Sequence, residues 1–289
     1  MNTREFDKFV AETILEIYWN GYETENPRPR YESDGAPANS KFITNQHVTL
    51  DLSKDVPCSS LRKFYPKTAV NEMLTIYQDQ TSNLQAFRDR GVNFWDSWKI
   101  DDKDSIGTIY GHTVGKHNLI DNLLDGLIND PFGRRHIMDL WQLDDFEEGD
   151  HKLVPCAFQT IWNVCKKDGK YYLDMMLTQR SSDFVVASSF NIFQYSALQM
   201  IVAKHCGYEV GKITWSIANV HIYDRYVDVA KDMADLYHQN ILEQKYHDQD
   251  IKFYIKDRDD FNFYNASWED FVFEGYEPND KVIKFDMAI

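Results

Sequence analysis

The strongest constraint on the fold is a pair of alternating segments joined by a two-residue turn in the second half of the chain. Residues 157–164 (AFQTIWNV) and 170–180 (KYYLDMMLTQR) alternate apolar and polar side chains on either side of KKDGK. Asp168 and Gly169 are typical of a tight hairpin turn, because both tolerate positive φ. The sequence therefore predicts an antiparallel β-hairpin.

One helix and two further strands are predicted outside this hairpin. Residues 191–206 (NIFQYSALQMIVAKHC) have the length and apolar density of a buried helix, which Gly207 ends. Residues 212–223 (KITWSIANVHIY) and 42–52 (FITNQHVTLDL) have strand character. Because no linker or repeat interrupts the chain, we expect one α+β domain spanning residues 1–289.

Helical patterns are predicted at three places in the first half of the chain. Residues 1–20 have apolar side chains at helical spacing, a mainly helical stretch is predicted near 66–90, and a helix is predicted near 115–129. Residues 20–41, between the first helix and the first strand, are rich in charge and turn formers, so we expect a long exposed loop there.

Composition excludes several classes of function. The 46 acidic and 31 basic residues give a net charge of -15, so attraction to nucleic acid or anionic lipid is not expected. No apolar run approaches the ~20 residues of a membrane span, and the N-terminus lacks the features of a signal peptide. The four cysteines share no C-x-x-C spacing, which argues against disulfides and zinc. We expect a cytosolic protein without a bound metal.

Cys156, which follows Pro155 at the head of the hairpin, is either a small core residue or a nucleophile. On residue type alone a buried cysteine is usually inert. Its context favours reactivity, because Arg180, Ser181 and Asp183 lie on the strand paired with its own, and a nearby cation favours the thiolate.

Four motifs in a fixed order add to this context: PC at 155–156, QRSSD at 179–183, FNIF at 190–193 and VHIY at 220–223. In this order and spacing they resemble the thymidylate synthase family. The likeness continues through NFWDSW, GTIYGH and GRRHIMDLW upstream and to the terminal MAI downstream. It implies an α+β fold with a large mixed β-sheet packed with helices, and a homodimer formed through the sheet.

The resemblance also implies a reaction. Thymidylate synthases transfer a one-carbon unit from 5,10-methylenetetrahydrofolate to carbon 5 of deoxyuridine monophosphate (dUMP), giving thymidylate and dihydrofolate. Cys156 would add to carbon 6 of the pyrimidine and make carbon 5 nucleophilic. Glu72 matches the family's general acid and base, and Tyr110 matches the group near the carbon 5 proton.

The nucleotide's phosphate is expected to bind arginines. Arg180 would hold the phosphate and favour the Cys156 thiolate, and Ser181 would add a hydroxyl donor. Arg28 aligns best with an arginine of the family's early loop, although Arg30 stays an alternative. The partner subunit is expected to contribute two further phosphate ligands, Arg134 and Arg135.

The base and the sugar have their own candidates. Asn191 matches the asparagine that reads the pyrimidine, where an amide suits uracil and an aspartate would suit cytosine; a helix N-cap is the alternative. His221 and Tyr223 alternate on one strand and match the pair that bonds the deoxyribose 3′-hydroxyl. The resemblance implies that Asp183 takes part in catalysis and contacts both the nucleotide and the folate.

The folate is expected to pack on aromatic and apolar residues, which could equally be ordinary core. The terminal FDMAI matches a tail that folds over the folate and excludes water. The matched folate-binding residues are Trp95, Trp98, Leu153, Asp183, Ala187, Phe190 and Ala288.

Several departures from the family pattern keep other functions open. Ala187 replaces a glycine, Ser189 a proline, Ala157 a histidine and Asn219 an aspartate, while Arg62 lies nearest a family lysine. A deoxyuridylate hydroxymethylase, in which water attacks the methylene intermediate, is the alternative, and an inactive homologue comes third. The early loop resembles a branch found in bacilli and their phages, which predicts a phage or bacterial source.

Overall fold

Six of the α-helices of the described residues begin in the first half of the chain, and the longest helix lies in the second half. The computed structural model describes residues 3–100, 102–279 and 283–289. Its α-helices are α1 (Arg4–Asn20), α2 (Pro66–Tyr77), α3 (Leu84–Asp89), α4 (Gly111–Lys116), α5 (Leu119–Asn129), α6 (Leu143–Glu148), α7 (Phe184–Cys206) and α8 (Val227–Leu242).

The chain also forms one large mixed sheet. The combination of this sheet with the helices confirms the predicted α+β class. Within the described ranges its strand order is β1-β2-β6-β5-β4-β3, and every pair is antiparallel except β5 with β6. A separate ribbon pairs β7 with β8. The strands are β1 (Tyr22–Glu23), β2 (Ser40–Asp51), β3 (Ile137–Asp139), β4 (Ala157–Lys167), β5 (Lys170–Asp183), β6 (Glu209–Tyr223), β7 (Lys252–Ile255) and β8 (Phe271–Glu274).

The predicted hairpin is formed by β4 and β5. Its turn residues Asp168 and Gly169 have φ of 51° and 81°, the left-handed conformation that a tight hairpin turn requires at both positions. At the other end of the hairpin, the backbone N–H of Arg180 donates to the Cys156 carbonyl at 2.8 Å. Strand pairing therefore places these two residues side by side.

Helix α7 connects the parallel strands β5 and β6 and packs on both, as well as on α2. It begins at Phe184 instead of Asn191, so the expected start of this helix was wrong. Gly207, with φ of 74°, ends it as predicted. By length and composition α7 could cross a membrane, but 72% of its most apolar window is buried in this fold. It is the central helix of the core.

Two of the three predicted helical regions of the first half are divided in two, whereas the region at residues 1–20 forms the single helix α1. The stretch near 66–90 forms α2 and α3, because Asn83 begins a new helix by accepting a hydrogen bond from the Gln85 backbone at 2.7 Å. The stretch near 115–129 forms α4 and α5, which are separated at Asn118, whose φ is 50°. Local capping and positive φ thus interrupt the apolar periodicity.

The segment expected to be a long exposed loop is only partly exposed. Tyr31 and Ala38 are buried, and β1 pairs with β2. The backbone of residues 30–32 pairs with that of residues 287–289 near the C-terminus. This correction has a simple cause, because a partner so distant in sequence leaves no local pattern.

We predict that Gly107→Ala destabilises the fold, because Gly107 has φ of 95° and an added Cβ would overlap the carbonyl oxygen of Asp150. The expected loss is about 3 kcal/mol, measured by urea unfolding. Gly91→Ala is the control, since Gly91 has φ of 76° but open space around its Cβ position, and about 1 kcal/mol is expected there. Equal losses would contradict the role of the Asp150 overlap.

Candidate active site

A cavity of about 520 Å³ lies where the ends of β5 and β6 meet α7, α2 and the C-terminal residues. It brings together side chains from segments far apart in the sequence. Of the predicted site residues, those lining it are Arg28, Glu72, Trp95, Trp98, Tyr110, Leu153, Cys156, Arg180, Ser181, Asp183, Ala187, Phe190, Asn191, His221, Tyr223 and Ala288.

Arg134 and Arg135 lie outside this cavity, in the exposed segment before β3. Their side chains form no hydrogen bond or ion pair with the part of the chain that the structure describes. Arg30 also lies outside, since its guanidinium bonds the backbone carbonyls of Arg28 and Pro29 at 3.3 and 3.0 Å. Of the two loop arginines, only Arg28 lines the cavity.

Cys156 lies against the guanidinium of Arg180. Nη2 of Arg180 is 3.5 Å from Cys156 Sγ and 2.8 Å from the Val154 carbonyl, while Nε donates to the Pro155 carbonyl at 2.9 Å. Two backbone carbonyls therefore hold the arginine in place, and its charge is fixed beside the thiol. This is the contact that the strand pairing predicted.

The charge of Arg180 only partly activates the thiol. Burial raises the pKa of Cys156 above its ordinary value, and the nearby Arg180 lowers it by less. Without substrate the thiol form is therefore favoured at neutral pH. A nucleophilic role requires that the proton leave Sγ as the reaction begins.

Tyr110 supports the same loop from the other side. Its hydroxyl accepts a hydrogen bond from the backbone N–H of Cys156 at 3.1 Å. The residue has φ of 50° and ψ of −108°, an unfavourable conformation for a side chain with a Cβ. Such strain is typical of functional sites, where surrounding contacts compensate for it.

Glu72 is a buried carboxyl group that has no cationic partner among the described residues. Its two oxygens accept hydrogen bonds from Trp95 Nε1 at 2.7 Å and from Gln194 Nε2 at 3.0 Å. Burial raises the pKa of Glu72 to about 8, although both hydrogen bonds act in the opposite direction. Near neutral pH the group can therefore hold or release a proton, as a general acid and base must.

The amide of Asn191 is oriented by a buried hydrogen-bond chain. The indole of Trp215 can only donate, and it donates to Gln179 Oε1 at 3.0 Å. Gln179 therefore presents its Nε2, which donates to Asn191 Oδ1 at 3.1 Å. Nδ2 of Asn191 has no partner among the described residues and stays available as a donor. Because Asp183 precedes the first residue of α7, Asn191 is not the N-cap.

His221 and Tyr223 lie on the same side of β6 with ring centroids 5.0 Å apart, as their spacing predicted. His221 Nδ1 is 3.0 Å from Asn219 Oδ1, so the asparagine that replaces the expected aspartate still contacts this ring. Burial lowers the pKa of His221 to about 4, and Arg180 acts in the same direction. The imidazole is therefore neutral at pH 7.

The opposite side of the cavity is aromatic and apolar. The rings of Trp95 and Trp98 are 5.5 Å apart, and Phe190 packs edge-on against Phe94 at 5.7 Å. Asp183 lies at this side, and burial raises its pKa to about 7 against the opposing effects of the Val186 amide and the Arg62 charge. A flat, mostly apolar ligand would fit such a wall.

Comparison with known proteins decides the family. The family model described as thymidylate synthase matches residues 9–289. A curated thymidylate synthase of Lactococcus lactis subsp. lactis (strain IL1403) is 43% identical over 98% of this chain and 99% of its own length. That of Streptococcus sanguinis (strain SK36) is 42% identical over 98% of this chain and 99% of its own length. This chain belongs to the thymidylate synthase family.

A solved structure agrees with this assignment. Thermostable thymidylate synthase A from Bacillus subtilis matches with a TM-score of 0.84 and 31% identity, over 98% of this chain and 99% of that chain. The family and fold predicted from the motifs are thus confirmed. Because the relatives carry the name of a synthase, they support methylation of dUMP and give no support to the hydroxymethylase alternative.

Two departures from the thymidylate synthase pattern take part in contacts between residues 59–62 and helix α7. Ser189, which replaces a proline, accepts a hydrogen bond from the Ser59 backbone at 3.0 Å. Arg62, near the expected lysine, donates to the carbonyls of Val185 and Val186 at 2.9 and 3.0 Å. Both contacts attach residues 59–62 to the first turns of α7, so these substitutions have structural partners.

Sequence reasoning missed residues that orient the thymidylate synthase candidates. Gln194 bonds Glu72, and Gln179 with Trp215 orients Asn191. One signal was available, because Gln194 follows Asn191 by three positions and so shares its helix face. No local signal marks Trp215 as a partner of Gln179. Within the described ranges, no three His, Cys, Asp or Glu side chains meet as metal ligands.

We predict that Glu72→Gln changes the pH dependence of stability. Folding raises the pKa of Glu72 from 4.5 to about 8, so the stability that the protonated group contributes is complete below pH 4.5 and is lost as the pH rises through 8. Glutamine does not ionise. The unfolding free energy of the variant minus that of the parent should therefore increase by roughly 1.4 kcal/mol per pH unit between about pH 5 and 7.5.

Urea unfolding at pH 5.5 and 7.5 measures this change. Glu274→Gln is the matched control, because Glu274 forms an exposed pair with Lys252 at 3.1 Å, and no pH-dependent difference is expected for it. A difference for Glu72→Gln that did not vary with pH would show that Glu72 is not held protonated by the fold.

Proposed function

We propose that the cavity binds dUMP with its pyrimidine between Cys156 and Asn191, and binds 5,10-methylenetetrahydrofolate against the tryptophans, to give thymidylate and dihydrofolate. The observation that carries this proposal is the meeting of a thiol, an oriented amide and a buried carboxyl in one cavity. Among the described residues, the thiol lies just before β4, the amide lies on α7 and the carboxyl lies on α2.

Cys156 begins the reaction by adding Sγ to carbon 6 of the pyrimidine, which makes carbon 5 nucleophilic. Asn191 Nδ2 donates to the 4-keto oxygen, where negative charge develops. Glu72 carries a proton near neutral pH because burial raises its pKa to about 8, so it can supply that proton toward the same oxygen through water. Tyr110 would act near the carbon 5 proton.

The phosphate lies in this proposal beside Arg28, Arg180 and Ser181. Nη1 of Arg180 makes no hydrogen bond with the described residues, so one side of its guanidinium is available for an oxygen of the phosphate. His221 and Tyr223 would bond the 3′-hydroxyl of the sugar. An acidic chain needs such a local concentration of cations to hold a dianion.

A second copy of the chain would complete the phosphate site with Arg134 and Arg135. Neighbouring apolar side chains support an interface here, since Phe132 and Ile137 are 58% and 47% exposed in the single chain. Two exposed arginines that have no side-chain partner in the described part of the chain, flanked by exposed apolar residues, suit burial against an anion bound by the neighbouring subunit. The proposed assembly is a homodimer formed through the sheet.

The folate would pack on the aromatic and apolar side of the cavity. Exclusion of water matters at this side, because a hydride must reach the methylene intermediate before water does. The folate-binding residues of this proposal are Trp95, Trp98, Leu153, Asp183, Ala187, Phe190 and Ala288.

The four free cysteines of the described residues favour a reducing compartment, and we propose the bacterial cytosol. We also propose that residues 1–289 act as one catalytic domain. The predicted phage source stays a prediction.

One experiment tests the proposed reaction. The protein is incubated with dUMP and methylenetetrahydrofolate, the nucleotide product is identified by mass, and dihydrofolate is followed by absorbance. Thymidylate in equal amount to dihydrofolate is expected, and Cys156→Ser should lower turnover by at least about 10³-fold. Hydroxymethyl-dUMP without dihydrofolate would overturn the proposed product, and normal turnover of Cys156→Ser would remove the nucleophile.

A complementation experiment tests the shared phosphate site. Cys156→Ser lacks the nucleophile, and the double variant Arg134→Ala, Arg135→Ala lacks the donated cations, so each alone should be nearly inactive. Mixed after reversible dissociation, they should recover up to about a quarter of the parent's activity, because half of the dimers are mixed and each contains one complete site. No recovery in a mixture proven to contain heterodimers would contradict donation across the interface.

A further inference from the structure

Asp145 on α6 is a fully buried carboxylate that contacts α4 and its C-cap. Its Oδ2 accepts a hydrogen bond from the Thr113 hydroxyl at 2.6 Å, and its Oδ1 lies 2.8 Å from Lys116 Nζ and 3.2 Å from His117 Nε2. Its backbone carbonyl accepts a further hydrogen bond from the Thr108 hydroxyl at 2.6 Å. A buried carboxylate with this many partners holds the groups that surround it in one arrangement.

These contacts lie on both sides of Tyr110 in the chain. Thr108 precedes Tyr110 by two residues, and Thr113 follows it by three. Tyr110 itself has φ of 50° and ψ of −108°, a conformation that persists only where the surrounding structure holds it. We call Thr108, Thr113, Lys116 and Asp145 the α4–α6 clamp. Because the clamp bonds the chain before and after Tyr110, it limits the backbone rotations that would relieve this strain.

The backbone around the α4–α6 clamp is closely packed. Gly111 directly follows Tyr110, and a Cβ added there would overlap the carbonyl oxygen of Thr81. Gly149 directly follows α6, and a Cβ added there would overlap the methyl group of Thr108. The segments on either side of Tyr110 therefore have little room to shift while the clamp is intact.

The hydroxyl of Tyr110 links this constraint to the cavity. It accepts the backbone N–H of Cys156 at 3.1 Å, and the Tyr110 ring contacts that of Trp95 with centroids 5.4 Å apart. Cys156 has a further support that does not involve Tyr110, because its carbonyl accepts the Arg180 N–H at 2.8 Å. Loss of the clamp should therefore displace Tyr110 more than it displaces Cys156.

We propose that Asp145 is a positioning residue, and that it holds the Tyr110 hydroxyl in place through the α4–α6 clamp. This inference rests on the proposed function for its catalytic consequence, because Tyr110 is placed there near the carbon 5 proton. In that step the bond between carbon 5 and hydrogen breaks, the proton moves to water, and the electron pair stays on the pyrimidine as an enolate. A displaced Tyr110 slows this step, whereas nucleotide binding and the addition of Sγ change little.

Two variants of Asp145 and one control test the proposal. Asp145→Ala removes the side-chain contacts of the carboxylate, whereas Asp145→Asn keeps an oxygen for Thr113 but loses the ion pair with Lys116. Asp270→Asn is the control, because Asp270 is also buried and its Oδ1 lies 3.0 Å from Arg258 Nε, beside the β7–β8 ribbon. Urea unfolding checks that each variant is folded, and Asp145→Asn carries the test if the alanine variant does not fold.

The first readout needs no substrate. Amide hydrogen exchange compares the Cys156 N–H, which donates to Tyr110, with the Arg180 N–H, which donates to the Cys156 carbonyl. In the Asp145 variants we expect exchange at least about tenfold faster at Cys156 and less than about threefold faster at Arg180. A general loss of stability accelerates both amides alike, and Asp270→Asn should show no selective effect. Equal acceleration, or none, in folded Asp145 variants would overturn the proposal, whatever the protein's activity.

The second readout separates proton removal from the addition of Sγ. In 5-fluoro-dUMP fluorine replaces the carbon 5 hydrogen, so covalent capture of this analogue by Cys156 with methylenetetrahydrofolate stops before proton removal. We expect kcat with dUMP to fall at least about tenfold in the Asp145 variants, while KM for dUMP and the capture rate stay within about twofold of the parent. Parent-like kcat in variants with fast exchange, or capture slowed as much as kcat, would contradict the catalytic consequence. A parent that makes no thymidylate would instead refute the proposed function.

Discussion

The pairing of β4 with β5 is the constraint on which the rest of the site depends. It sets the Cys156 carbonyl against the Arg180 N–H at 2.8 Å and leaves the arginine side chain beside Sγ at 3.5 Å. Because β5 continues directly into α7, the same pairing also determines where Asn191 and Gln194 face the cavity. A tight turn at Asp168 and Gly169 fixes the register of the whole arrangement.

Burial is the second physical theme of the site. It raises the pKa of Cys156, Glu72 and Asp183 and lowers that of His221, so burial shifts each group toward its neutral form before substrate binds. Hydrogen bonds and the Arg180 charge moderate these shifts without removing them at Cys156 or Glu72. A site of this kind suits chemistry in which protons must move and water must be kept away.

Much of the site was predictable because its residues lie in short motifs with fixed order. Cys156, Arg180, Asn191 and His221 were assigned from the sequence, and all four line one cavity. The start of α7 was predicted too late, because the apolar pattern of residues 184–190 follows a strand without a clear break. The attachment of residues 30–32 to residues 287–289 was missed because such contacts leave no periodicity.

The sequence by itself determined the hairpin, the family and the identity of the chemical groups, because these follow from local alternation, turn chemistry and motif order. Only the tertiary structure decided how those groups are held. It showed that Gln194 and Trp95 bond the two oxygens of Glu72, that Trp215 acts on Asn191 through Gln179, and that Arg28 lines the cavity while Arg30 bonds its own loop. The physical reason is that hydrogen-bond direction and burial depend on neighbours that are distant in sequence and meet only in the folded chain.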